Sequence, residues 1–141
     1  MPKVCRAMLA DEDKLPRVGA TGASLGVRLP LDENADIDCD ESGQVVLNEK
    51  GMSVSPRWRD LPPYRIPKRL KGKSPGARGS DASFCYSYGK GPFQNCKFAD
   101  GLQLIPDVPN HGVVAPLRLV KFQQYQEDLA ATRPEWVIDE N

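Results

Sequence analysis

Ser53-Val54-Ser55 and Arg6 are the residues of this chain whose types and spacing could together hold a nucleotide. A Ser-x-Ser on an extended segment presents both hydroxyls on one face, because strand side chains alternate with period two. Two such hydroxyls beside a buried arginine can hold a ribose and an adjoining phosphate. The guanidinium supplies a planar, permanently charged fork that matches phosphate oxygens. Arg6 lies inside the apolar run Val4 to Leu9 and is the natural partner. On spacing alone, the same residues also read as an ordinary strand with a structural ion pair.

Other constellations carry less. Asp38, Asp40, Ser42, Gly43, Val45 and Glu49 fall on places of the twelve-residue calcium loop, which needs oxygen ligands, a glycine bend and a terminal glutamate. Pro30 before it and Gly51 after it leave no room for flanking helices, so an acidic β-turn launching a strand is the competing reading. His111, the single histidine, precedes Gly112 without a Ser-His-Asp pattern or a nucleophile elbow, and reads as a loop residue. Gly89-Lys90-Gly91 lacks the phosphate-loop signature. Gln123, Gln124 and Glu127 could orient a glycosidic bond from the start of a helix, or form its solvated face. The cysteines Cys5, Cys39, Cys85 and Cys96 form no C-x-x-C pair, so no metal site is expected.

The elements that must position these residues are short. At 141 residues the chain has the length of one domain, here taken as 1–141, and 40% hydrophobic residues suffice for one core. Mean hydropathy is −0.49, which points to long polar loops around that core. Nineteen basic and nineteen acidic residues cancel, which argues against nucleic acid as a partner. They are nevertheless segregated, with an acidic block over 32–41 and a basic one over 57–78. The first residues reach Asp11 too soon for a secretory leader, and no run is long enough to span a membrane. A cytoplasmic, reducing compartment with free thiols is the expectation.

Strands are expected at Val4 to Leu9, Leu25 to Leu29, Gln44 to Leu47, Met52 to Ser55, Ser83 to Tyr88, Leu102 to Ile105 and Val113 to Val114. Five prolines and three glycines over 56–79 predict a long ordered loop with one helical turn near Lys68 to Leu70. Loops of this length in compact domains tend to be functional. Val120, Phe122, Tyr125, Leu129 and Ala130 give the spacing of a helix over 117–132, with Arg133 suited to its C-terminal dipole and Pro134 as its stop. Trp136 to Ile138 returns as a short strand. Together these predict an α+β fold with a mainly antiparallel, split sheet of short strands and one C-terminal helix.

The order of three patches resembles a known family. Cys5-Arg6-Ala7-Met8 resembles the opening YRA strand of the ADP-ribosyltransferase-like toxins exported by type VI secretion, the Tse toxins. Gly43-Gln44-Val45-Val46 and Lys50-Gly51-Met52-Ser53-Val54 resemble that family's dG-x-V-x-P-x-x-GG-x-SV segment. His111 to Pro116, followed by the helix and Trp136, is similar to its H-x-x-x-x-P strand and closing helix. Lys50 stands where the pattern has a second glycine, and no glutamate matches the one that ADP-ribosyltransferases keep. The resemblance implies an NAD-sized cleft bordered by Arg6, Ser53, Ser55 and His111, with Arg6 and Ser53 as catalytic candidates. It further implies a toxin or effector domain, active or degenerate, that acts in a target cell's cytoplasm and is blocked by a cognate immunity protein. The other class of function is a non-catalytic interaction module whose basic loop 57–78 docks an acidic partner, with the acidic loop 32–41 occupying that site in the free state.

Overall fold

A computed structural model describes residues 2–28 and 35–141, so Asp32 and Glu33 of the acidic block lie outside the described residues. Strand β1 (Val4–Leu9) pairs antiparallel with β3 (Ser83–Tyr88), from Val4 opposite Tyr88 to Leu9 opposite Ser83. Strand β7 (Val137–Ile138) joins the far side of β3 and completes a three-stranded sheet. A second sheet runs in the order β2 (Met52–Val54), β6 (His111–Pro116), β5 (Leu102–Val108) and β4 (Cys96–Ala99), again antiparallel. The architecture is α+β, with mostly antiparallel strands in two sheets and α1 (Phe122–Ala130) near the C-terminus.

Among the described residues a single backbone bridge joins the two sheets. Cys5 and Ser55 exchange both backbone hydrogen bonds, at 2.6 and 3.0 Å, and beyond this bridge β1 continues with β3 while β2 continues with β6. Strand β1 is covered on both faces, which is why its alternation is not polar–apolar. Val4 and Met8 enter the main core with Tyr88, Phe98, Leu104 and Trp136. Cys5 and Ala7 enter a smaller cluster with Trp58, Leu61, Ile66 and Cys85, beneath the basic loop. Arg6 shares the Val4 and Met8 face by period two, and it is buried there, 6% exposed.

Tyr125 pins α1 to the second sheet. Its hydroxyl donates to the Val114 carbonyl at 2.5 Å and accepts the Met52 N–H at 3.1 Å. Gly51, just before β2, has no room for a side chain, because a Cβ there would strike the Val114 carbonyl. Tyr88 stacks on Phe98 at 4.4 Å and leans on Trp136 at 5.4 Å, which binds the two sheets together through rings.

Several expectations shift. Leu25 and the Gln44–Val45 pair form isolated bridges rather than strands, while Leu29 and Pro30 lie outside the described residues. Gln44 bridges Lys121, and Val45 bridges Cys39 while its N–H donates to the Val120 carbonyl; Lys121 is extended, and the helix begins at Phe122. Strand β4 was not expected from the sequence: Asn95-Cys96-Lys97-Phe98 alternates polar and apolar residues, but only over four positions before the Asp100-Gly101 turn. Arg133 does not serve the helix dipole. Its guanidinium reaches Asp11 and Asp13 at 3.1 and 2.8 Å and donates to the Pro16 carbonyl at 2.9 Å. Among the described residues no helix is long and apolar enough to cross a membrane.

Candidate functional site

Where the sheets part beside the Cys5–Ser55 bridge, a cleft of about 170 Å³ opens to solvent. Arg6, Ser53, Ser55 and His111 all line it, although they come from β1, β2, the residue after β2, and β6. Ser53 lies opposite Val113 in the β2–β6 register, and Val113 is two residues from His111, so Ser53 and His111 share a sheet face. Ser53 is exposed at the cleft, whereas Ser55 is buried, 1% exposed, by the strand exchange at Cys5.

Arg6 forms part of the floor. Its Nε donates to the Ser24 carbonyl at 3.1 Å and Nη1 to the Ser53 carbonyl at 2.8 Å. Its Nη2 donates to the carbonyls of Gly22 and Gly26 at 3.2 and 3.4 Å. The side chain thus ties the 22–26 turn to β2 across the seam between sheets. Burial pulls its pKa down to about 10, with Asp36 opposing that shift and Arg65 and Arg28 adding to it, so it stays charged at neutral pH. No carboxylate forms a salt bridge with Arg6 among the described residues; the backbone carbonyls solvate it.

The same cleft gathers residues that spacing gave no reason to group. Arg28 and Asp36 form a pair, with the Arg28 backbone N–H to Asp36 Oδ2 at 2.9 Å and Nη1 to Oδ1 at 3.4 Å. Gln126 of α1 clamps the preceding residue: its Oε1 accepts the Val27 N–H at 2.9 Å and its Nε2 donates to the Val27 carbonyl at 3.3 Å. Tyr64 and Arg65 come from the basic loop, so that loop is one wall of the cleft. Its length and charge were the one available signal, and the residue within it could not be chosen from sequence. Three arginines and one aspartate among the described lining residues leave the cleft positive.

His111 is not a loop residue bonding a carbonyl. It opens β6, and its Nδ1 lies 2.8 and 3.0 Å from the two oxygens of Asp107 at the other side of the β5–β6 turn. A carboxylate only accepts, so Nδ1 carries the hydrogen and Nε2 of the neutral ring is the free acceptor.

The remaining candidates go elsewhere. Asp40 Oδ1 accepts from Ser42 and Gln44 in a tight turn, and Asp38 Oδ2 is held by Lys50 at 3.0 Å and Asn48 at 2.7 Å. One carboxylate oxygen of each of Asp38 and Asp40 is therefore engaged with the chain itself. Gln123 bonds Glu127 and Gln124 bonds Asp128 along the outer face of α1, away from the cleft lining. Among the described residues, ion pairs of the basic stretch go to Asp60 and Glu140, while Asp38 of the acidic block pairs with Lys50 and Asp36 with Arg28.

No family model, no curated protein and no solved structure matches this chain.

Proposed function

We propose that the cleft binds NAD and that the chain is a small ADP-ribosyltransferase-like effector domain. The observation that carries this reading is that Arg6, whose Nη1 donates to the Ser53 backbone carbonyl at 2.8 Å, and the exposed Ser53 line one positive cleft beside the seam of a split antiparallel sheet. At about 170 Å³ the cleft is smaller than a whole dinucleotide, so only part of NAD would enter it and the rest would lie along the mouth. Ser53 is the hydroxyl available to a ribose; Arg6 acts as the positioning residue that fixes Ser53 and the 22–26 turn.

No glutamate lines the cleft among the described residues, and its carboxylate is Asp36, already engaged by Arg28. In an active domain, stabilisation of an oxocarbenium-like state therefore falls to the cleft's own dipoles. Nε2 of His111 would take the proton of the acceptor hydroxyl as that oxygen bonds C1′ and the electron pair of the broken C1′–N bond leaves with nicotinamide. A degenerate domain would bind NAD without this step.

Thermal-shift titration of the whole chain with NAD tests the reading. Stabilisation is expected for the wild type and its loss for Ser53→Trp, which fills the cleft from an exposed position. No shift for the wild type, together with harmless intracellular expression, contradicts it.

A second reading is favoured by a separate observation. Lys68, Lys71 and Arg78 of the basic loop are exposed, and none is in an ion pair among the described residues. They form a face suited to an acidic partner, such as an immunity protein. Retention of the chain on immobilised polyglutamate should drop for the triple variant Lys68→Glu, Lys71→Glu, Arg78→Glu; unchanged retention removes this reading.

A further inference from the structure

Arg6 is the arginine to which sequence spacing points as an anion ligand, yet its donors are mostly spent. A guanidinium has five N–H groups, and those of Arg6 already serve the carbonyls of Ser24, Ser53, Gly22 and Gly26. An anion displacing them would leave carbonyls buried without partners.

Arg65 is in the opposite state. Its guanidinium lies over the ring of its neighbour Tyr64, 5.2 Å from the centroid, and has no hydrogen-bond or ion-pair partner among the described residues. It is half-buried and lines the cleft. Its Nη2 and the Nη2 of Arg28 both press on Gly22, where a Cβ would collide with each of them. The missing side chain is what lets two guanidinium groups converge on one spot. Arg28 shares its charge with Asp36 at 3.4 Å, whereas Arg65 does not meet that carboxylate in an ion pair. Like charges gathered in a concavity repel unless an anion enters between them.

We infer that Arg65 and Arg28, converging over Gly22, form a diphosphate-binding subsite in which Arg65 is the direct anion ligand and Arg6 is the buried clamp beneath it. Two adjacent forks match two linked phosphoryl groups, each offering oxygens in the plane that a guanidinium recognises. A single phosphate is met by Arg65 alone, whereas a second, linked phosphoryl group also gains the nearby charge of Arg28, which keeps Asp36 as its partner. The inference rests on the NAD reading only for the identity of the complete ligand; the subsite itself is argued from the guanidinium arrangement.

Calorimetric titration of the whole chain with inorganic pyrophosphate, ADP and inorganic phosphate tests it, with NAD as a fourth arm. The wild type is expected to bind pyrophosphate and ADP more tightly than phosphate, with affinity falling as salt rises. Arg65→Gln should weaken pyrophosphate at least tenfold. Arg65→Lys should recover only part of that loss, since an ammonium keeps the charge without the fork. Lys90→Gln, an exposed change away from the cleft lining, should alter nothing. Unchanged melting of the ligand-free variants shows that they fold. Absence of pyrophosphate and ADP binding by the wild type overturns the inference, as does Arg65→Gln binding them like wild type. Arg65-dependent pyrophosphate binding without NAD binding upholds the subsite and removes the NAD reading. NAD binding that is equal in wild type and Arg65→Gln does the reverse.

Discussion

Ser53 and Arg6 share one hydrogen bond but stand in different risks. Replacing Arg6 by alanine removes a donor from four carbonyls, with the bonds to Ser24 and Gly26 buried and those to Ser53 and Gly22 part-buried, and each buried group left without a partner costs about 1–3 kcal/mol. Arg6→Ala should therefore lower the melting temperature sharply and report on folding, while Ser53→Ala should leave melting unchanged and report on the cleft. The cysteines divide in a similar way. Burial pushes the Cys5 and Cys85 thiols up to about 12, so neither forms thiolate at neutral pH. Cys39 and Cys96 are only partly buried. At pH 8 a thiol reagent should label Cys39 and Cys96 and reach Cys5 and Cys85 only on unfolding, as mass mapping would show. Early labelling of Cys85 would mean that the cluster under the basic loop opens readily.

At the scale of elements, α1 and the second sheet are coupled through one hydroxyl. Tyr125→Phe leaves the Val114 carbonyl and the Met52 N–H without their shared partner inside the core, a loss of about 2 kcal/mol. Urea unfolding should show that loss, and a neutral result would mean that the helix is held by packing alone. What was legible in sequence follows the same logic of local against distant partners. Strands β1 and β3 and the helical turn at Lys68–Leu70 could be read because their patterning is local. The stretch Gln44 to Leu47 forms no strand because its backbone is divided between two sides, with Cys39 and Asp38 across the tight turn and Lys121 and Val120 from far along the chain, each claiming single residues. Ser53, Ser55, Arg6 and His111 were found by type and spacing. Arg28, Asp36 and Arg65 were not, since their convergence depends on Gln126 gripping Val27 from the helix and on the basic loop folding back over Gly22.

At the scale of the whole molecule, two sheets meet through a single bridge and a shared aromatic core, and the site lies where they part. Titration of the smaller cluster beneath the basic loop sets a pH limit. The buried thiols hold their protons up to about 12 against an ordinary value of 9.0, so the unfolded chain releases them first. Their stabilising contribution is complete below pH 9 and is lost as pH rises from there toward 12. Urea midpoints should fall over that interval, and Cys85→Ser should flatten the fall; a midpoint independent of pH would mean that the cluster is wet. The central claim concerns the cleft rather than the core. Calorimetric titration of the whole chain with NAD tests it most directly, with Ser53→Trp alongside. One NAD bound per chain is expected for the wild type and none for Ser53→Trp at equal thermal stability. Absence of binding by the folded wild type, or equal binding by both, would contradict it.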